Sequence, residues 1–416
     1  MAMVSETNPV TGYDWWPMLA DNAFRANPYP QLRQLREQGA IHFDTRSGIF
    51  FVLGHEAFSQ IVKAPQIGRD SRHWKNGWHS EDYKREDPVG YNLYEGIQPQ
   101  MINVDGADHH RMRGMWESSF KFSSIKSQTA MIEEQADLVL NKLPDEGEID
   151  ILKEYAAPLP LRVLGNLLNI SPKMDNDIFR WSEALIQVAD IMTTPEVKQQ
   201  ALDSLNSFKA YLRTYLAERR AKQDGGLVNI ILKAQDEGVL NEDETLVNMV
   251  SMMIAGHETT VNLIGNGLLL LLQHPEQMKR LRADYSLIPM AVEEFMRCEP
   301  NGNMILRVAR EDVKICGTSI PAGSPILGMI GAINRDPERF ENPDAFDVGR
   351  SSNPHFTFGG GPHICLGAPF ARLEGRIAFT KLLDRWSSIE LAGQADWRVD
   401  RLNARGLVSL PVRVRK

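Results

Sequence analysis

Apolar residues recur three and four apart in "MIEEQADLVLNKL" and "LNSFKAYLRTYLAERR", the spacing that lines one face of a helix. Most of the stretch from about Ala107 to Glu299 follows this rule, which predicts a helical body there and a further helix over about 367–386. The longest segment, "NEDETLVNMVSMMIAGHETTVNLIGNGLLLLLQHP", opens on acidic residues and stops at Pro275, in keeping with the helix dipole and with proline's missing N–H. At 1.5 Å per residue it runs about 45 Å, enough to cross a whole domain. Gly256, His257, Glu258, Thr259, Thr260, Asn262 and Asn266 interrupt its apolar run. It therefore reads as the central helix of a soluble fold and not as a bilayer span.

The period changes elsewhere. "IHFDTRSGIFFVLG", Ile41 to Gly54, is rich in Phe, Ile and Val and broken at Ser47-Gly48, which predicts two short strands around a turn. "VKICGTSIPAGSPILGMI" alternates between Gly-Thr and Pro-Ala-Gly turns and predicts further short strands. From Arg72 to Gly106 the chain is polar and aromatic without a period, and reads as one long loop. The expected fold is mainly α with small β-sheets (α+β), a single domain over 1–416. Its β-rich parts lie at about 38–60 and about 300–345, with a C-terminal sheet besides.

Composition narrows the class. With 43% hydrophobic and 24% charged residues, the chain is neither disordered nor collagen-like. A formal net charge of -8 argues against broad nucleic-acid binding, which calls for a basic face. The N-terminus "MAMVSETNPVTGYDWWPMLADNAF" lacks the basic-then-apolar order of a signal peptide and is too polar for a membrane anchor, so a cytoplasmic protein is expected. Only Cys298, Cys316 and Cys365 are present, without a C-x-x-C pair, which disfavours a disulfide framework or a structural zinc cluster.

Cys365 stands in "FGGGPHICLG", Phe358 to Gly367. A phosphate loop needs Lys and Ser/Thr where this stretch has Ile, Cys and Leu, and zinc needs more ligands than His363 with Cys365. A buried inert cysteine remains open, because cysteine is common in cores. The other reading is a thiolate on haem iron. Glycines let the backbone pass close to a flat macrocycle, Pro362 stiffens the turn, and the helix starting at "APFARLEGRIAFTKLL" directs its positive end at the sulfur.

Here the sequence resembles the cytochrome P450 family. Phe358, Gly361, His363, Cys365 and Gly367 match its F-x-x-G-x-H-x-C-x-G haem signature at every specified position. "AGHETT", Ala255 to Thr260, matches its oxygen-activation motif, with Glu258 where Asp is more usual. Met252, Ala255, Gly256 and Thr259 share one helical face, with small residues where a ligand must approach. Gly256 and a Thr259 bond to a carbonyl one turn back should disturb the helix ladder there. The resemblance implies haem b held by Cys365, O2 as co-substrate, and proton relay through Thr259 and Glu258, with Ala255 and Gly256 leaving space above the iron. It also implies that His109 and Arg113 of "HHRMR", with Arg307 and His363, meet the haem propionates, while His110 and Arg111 face solvent. Glu294 and Arg297 of "EEFMR" match the family's structural pair, with Arg350 of "FDVGR" as a third member.

The activity so implied is monooxygenation of a small hydrophobic substrate, a terpenoid, aromatic or alicyclic compound, by a monomer without a membrane anchor. Electrons would come from a separate ferredoxin and its reductase, because no length remains for a flavin domain. Lys121, Lys126, Arg111 and Arg372 are the basic candidates for docking an acidic donor. Trp78, Tyr94 and Ile97, Ser251 and Ile254, Asn303 and Met304, and Asn403 and Ala404 are the candidate pocket residues. Two other readings stay open: an H2O2-dependent peroxygenase, which has no use for the acid and alcohol pair, and a haem protein that binds ligands without turnover.

Overall fold

The computed structural model describes residues 8–222 and 226–416. The central helix is continuous from Glu242 to Gln273. Asn241 caps it by accepting from the Glu244 amide while the Glu244 carboxylate accepts from the Asn241 amide, so two free donors are satisfied reciprocally. His274 closes the helix, and Pro275 begins the next, Pro275–Ala283, at the first-turn position where its missing N–H costs nothing. No helix among the described residues is long and apolar enough to cross a membrane.

The predicted hairpin forms as β1 (Ile41–Asp44) and β2 (Ile49–Val52), paired antiparallel with Ile41 opposite Val52. Gly48 in the turn takes φ +72, a conformation that favours glycine. With β3 (Ile67–Gly68), β5 (Met304–Ala309) and β8 (Pro325–Met329) it builds a five-stranded sheet in the order β1-β2-β8-β5-β3, in which β2 and β8 run parallel. β6 (Val313–Ile315) and β7 (Thr318–Ile320) form a small antiparallel pair, as do β10 (Asp396–Trp397) and β11 (Leu407–Ser409).

Two expectations are corrected. The segment 72–106 is not one loop: it carries the helices Glu81–Glu86 and Pro88–Ile97 and single turns at Ser71–His73 and Met101–Asn103. Its signals were caps and not a period. Ser80 accepts from the Tyr83 amide, Asp87 accepts from the Gly90 amide, and Pro88 opens the second helix. The helical stretch 107–299 is interrupted by β4 (Glu146–Asp150), which exists because β12 (Pro411–Arg415) pairs with it, flanked on the other side by β9 (Ser388–Leu391). Pairing across more than 250 residues leaves no local trace in "EGEID".

The second half of the central helix packs with Ile288–Cys298 and with the helix after the cysteine, Ala368–Arg385, around Leu263, Leu268, Phe295, Phe379 and Trp386. Its first half packs with Asp175–Ile186 and Pro195–Lys222 around Met249, Met253, Trp181 and Phe208. The oxygen-motif residues thus lie between two cores.

Candidate active site

The cysteine loop is held by its backbone. Gly359 and Gly361 both adopt φ +68, and a Cβ on Gly361 would stand 1.9 Å from the Val62 carbonyl oxygen, so only glycine fits. Pro362 lies in a single turn, Gly361–His363. The Cys365 amide donates to the Phe358 carbonyl at 2.9 Å, and the Phe358 ring is covered by the Arg372 guanidinium at 4.5 Å. Gly367 ends the loop and precedes Ala368–Arg385.

Cys365 is accessible, yet most of what surrounds it is protein. That burial raises the thiol pKa. Backbone amides of Gly367 and Ala368 and the charges of Arg113 and Arg372 pull the other way without prevailing. The amides at the helix start favour the thiolate, in line with the sequence reading, but do not outweigh burial; a bound metal cation would displace the proton.

Around this loop the charges do not balance. Arg307 is 4% exposed, and its only hydrogen bond among the described residues is to the Leu306 carbonyl at 2.9 Å. Burial and the neighbouring Arg69 lower its pKa to about 9. Arg69 donates to the same carbonyl at 3.0 Å. Arg113 has no hydrogen-bond acceptor among the described residues. His109, buried in the helix Gly106–Gly114, lies against His363 with 4.2 Å between ring centroids and the rings tilted by 38°. Burial, His363 and Arg113 lower the His109 pKa to about 4.

The one carboxylate in this group is Asp105. Burial pushes its pKa up, but bonds from His363 at 2.8 Å and from the Asp70 and Arg69 amides hold it well below the usual carboxylate range. His363 therefore spends its Nε2 on Asp105, a partner the sequence reading did not name. Three guanidiniums, two imidazoles and a single acid leave an excess of positive charge and free donors, which fits the two carboxylates of a haem beside a cysteine ligand. Among the described residues no group of three or more side chains offers a rival metal site.

On the facing helix Ala255 is exposed, and the Thr259 Oγ1 donates back to the Ala255 carbonyl at 2.7 Å. Asn301 donates to the Thr259 carbonyl at 3.1 Å. The expected bond of the Thr259 hydroxyl to a carbonyl one turn back is present, and the helix runs unbroken through it, since the hydroxyl adds a bond at the carbonyl without evicting an amide. Gly256 abuts Leu164 of the helix Pro158–Leu167, whose Cδ1 would lie 3.3 Å from an added Cβ; its smallness serves helix packing. Glu258 is buried and accepts from Arg401 at 2.9 Å, and burial raises its pKa to about 7 against the pull of that arginine.

Comparison with known proteins shows the family. The cytochrome P450 family model matches residues 166–415. The polyketide biosynthesis cytochrome P450 PksS of Bacillus subtilis is 36% identical over 408 residues, 94% of this chain and 97% of that protein. Cytochrome P450 107B1 of Saccharopolyspora erythraea is 34% identical over 400 residues, covering 94% and 96%. The crystal structure of P450BioI in complex with a hexadec-9Z-enoic acid-ligated acyl carrier protein matches with a TM-score of 0.87 at 31% identity, over 94% of this chain and 100% of that one. The chain belongs to the cytochrome P450 family.

As a cytochrome P450 it is a haem-thiolate monooxygenase with the mainly helical α+β fold of that family, and membership implies haem and O2. In this cytochrome P450 the pair Glu294 and Arg297 is fully buried. The guanidinium reaches the carboxylate at 2.7 and 2.8 Å and donates to the carbonyls of Asn334, Pro343 and Ala345. Arg350 joins at 3.1 Å and Asn353 at 2.9 Å.

The pocket candidates separate. Ser251 and Ile254 are half-buried on the central helix near Ala255, and Ile97 packs against the same core as Ile254. Trp78 is buried, gives its indole N–H to Ser71 at 2.8 Å, and stacks with Tyr94 at 6.0 Å. Met304 is instead buried in the core with Trp15 and Leu327. The two asparagines hold loops: Asn303 donates to the Leu402 carbonyl at 2.9 Å, and the Asn403 side chain accepts from the Met304 amide at 2.9 Å. Ala404 forms a backbone bridge with Gly302.

The basic docking group also shrinks. Arg111 does not simply face solvent: it pairs with Glu244 at 2.7 Å and bonds the Val239 carbonyl. Arg372 is held by Glu293 at 2.7 and 2.9 Å. Lys121 and Lys126 remain exposed, beside Phe122, which is 73% exposed.

Proposed function

We propose that this protein inserts one oxygen atom of O2 into a small, largely hydrophobic substrate (terpenoid, aromatic or alicyclic), using electrons from a separate ferredoxin-type protein. The observation that carries this reading is Glu258. It is buried next to Thr259 in the chain and has a pKa near 7, which suits a group that must hold a proton and give it up at working pH.

Haem b bound through Cys365 supplies the oxidising chemistry. Arg69, Arg113, Arg307 and His109 would receive its propionates, with His363, itself held by Asp105, packed against His109. Phe358, Gly361 and Gly367 shape the thiol loop. Ala255 leaves room at the reaction site, the Thr259 hydroxyl passes a proton towards it, and Glu258 replenishes that hydroxyl. Ile97, Ser251 and Ile254 line the substrate side, with Trp78 and Tyr94 behind them. Glu294, Arg297 and Arg350 keep the core beneath the site rigid and take no chemical step. The chain acts as one domain, a monomer in the cytoplasm.

The haem-loaded protein, given a surrogate ferredoxin and reductase, is expected to consume O2 in the presence of substrates found by their spectral shift. Thr259→Ala should keep consuming it while product falls by about 10- to 100-fold and peroxide appears, since positioned proton transfer contributes rate factors of this order or more. An unchanged product yield in that variant would favour the peroxygenase reading. For the electron donor, Lys121→Glu with Lys126→Glu should slow reduction by about tenfold at low salt and converge with the unmodified protein at high salt. Identical rates at low salt would refute docking there.

A further inference from the structure

On the side of the central helix that carries Glu258, one guanidinium serves two carboxylates. Arg401 Nη1 lies 2.9 Å from Glu258 Oε1, and Arg401 Nη2 lies 2.6 Å from Glu183 Oε2. The Arg401 side chain is 3% exposed, and its buried Nε has no hydrogen-bond partner among the described residues. Glu183 belongs to the helix Asp175–Ile186. The loop carrying Arg401 is fastened on both sides: the Leu402 amide donates to the Asp190 carboxylate, and the Asn303 amide donates to the Asn403 carbonyl at 2.8 Å. These bonds fix the backbone from which the Arg401 side chain extends.

We propose that Arg401 and Glu183 are positioning residues for oxygen activation: Arg401 holds the Glu258 carboxyl in place, and Glu183 competes for the same guanidinium, so that the held acid can still take up a proton. The proposal rests on the reading of Glu258 as proton carrier. An arginine given wholly to Glu258 would keep it ionised, and a buried Glu258 with no arginine would stay neutral and lose its anchor. The remaining charged groups are few. Arg398, 3.6 Å from Glu183, also favours the ionised form of Glu258. Asp400 reaches Arg401 at 4.0 Å and is exposed. His257, the neighbour on the helix, is buried with its Nε2 unpartnered, and burial lowers its pKa, so it adds no positive charge near neutrality.

The test is an infrared difference titration of the haem-loaded protein, with the protonated-carboxyl band of Glu258 assigned by its loss in Glu258→Gln. Arg401→Gln should move the midpoint up by about one pH unit or more, and Glu183→Gln should move it down by a similar amount. Arg401→Lys should restore part of the shift. Midpoints that stay put, or that move in the same direction, overturn the proposal. If Arg401→Gln fails to retain haem, Glu183→Gln decides alone: a downward shift supports the proposal and no shift overturns it. Product yield separates the underlying reading. Opposite midpoint shifts together with an unaltered yield in Glu258→Gln would keep the shared guanidinium and reject Glu258 as the carrier, and with it the role in oxygen activation.

Discussion

A guanidinium taken out of water must find partners, and Arg307 has one carbonyl. Among the described residues it forms no hydrogen bond to an acid and only Asp105 favours its charge, whereas Arg297, also buried, is fully engaged with Glu294 and three carbonyls. The two arginines should respond oppositely to substitution. Arg307→Met is expected to stabilise the haem-free protein by about 1–3 kcal/mol while weakening haem retention, since removing an unpaired buried charge relieves its desolvation. Thermal melts of haem-free protein and haem titration check the two halves. A variant less stable without haem would show that Arg307 is already satisfied. Cys365, His109, Arg113 and Arg307 were legible because each stands in a short motif. Asp105 and Arg69 were not, since their role comes only from lying against His363 and Leu306, far along the chain.

Glycines set how closely the elements approach. A Cβ on Gly267 of the central helix would meet Phe379 at 2.7 Å and Phe295 at 2.8 Å, and one on Gly375 would meet Leu263 at 3.0 Å. These two positions seat the cysteine helix against the central helix. Gly267→Ala is expected to cost about 1–3 kcal/mol by overpacking, despite alanine's better helix propensity. The denaturation midpoint should fall with the slope unchanged; a midpoint that rose would mean that the aromatic rings move aside freely. At this scale the hairpin at residues 41–52 and the capped central helix could be read directly, because period and caps are local properties. The helices within 72–106 and strand β4 could not. Caps without an apolar period mark the first, and the second depends on a partner at residues 411–415.

For the whole molecule, buried acids of opposite character make stability depend on pH in two directions. Burial raises Glu293, but His355 and Arg372 prevail and hold it at about 2. The stability it contributes is present above its unfolded value and is lost as pH falls towards 2. Glu374 is the reverse. Burial lifts it to about 8, opposed only by a hydrogen bond with the Thr260 side chain, and its Oε1 has no partner. Folding there keeps a proton that the unfolded chain releases near pH 4.5, so this contribution is complete below that value and disappears as pH rises to about 8. Glu374→Gln should therefore gain on the unmodified protein between those limits, ending more stable by a few kcal/mol above pH 8. Chemical denaturation across that range checks it, and a constant difference would mean that Glu374 is already ionised in the fold.

Features that lie within about ten residues could be read from the chain directly: the cysteine in its glycine loop, the acid and alcohol on one helix, the cap and stop of that helix, and through these motifs the family and its fold class. Such features depend on neighbouring backbone geometry, which a short stretch specifies completely. The tertiary structure alone decided how the charges are paired. Arg401 stands between Glu258 and Glu183, Arg111 is paired with Glu244 and Arg372 with Glu293, and Arg307 forms no hydrogen bond to an acid among the described residues. Electrostatic energy depends on distance and burial in space, and residues more than a hundred positions apart meet only when the chain is packed.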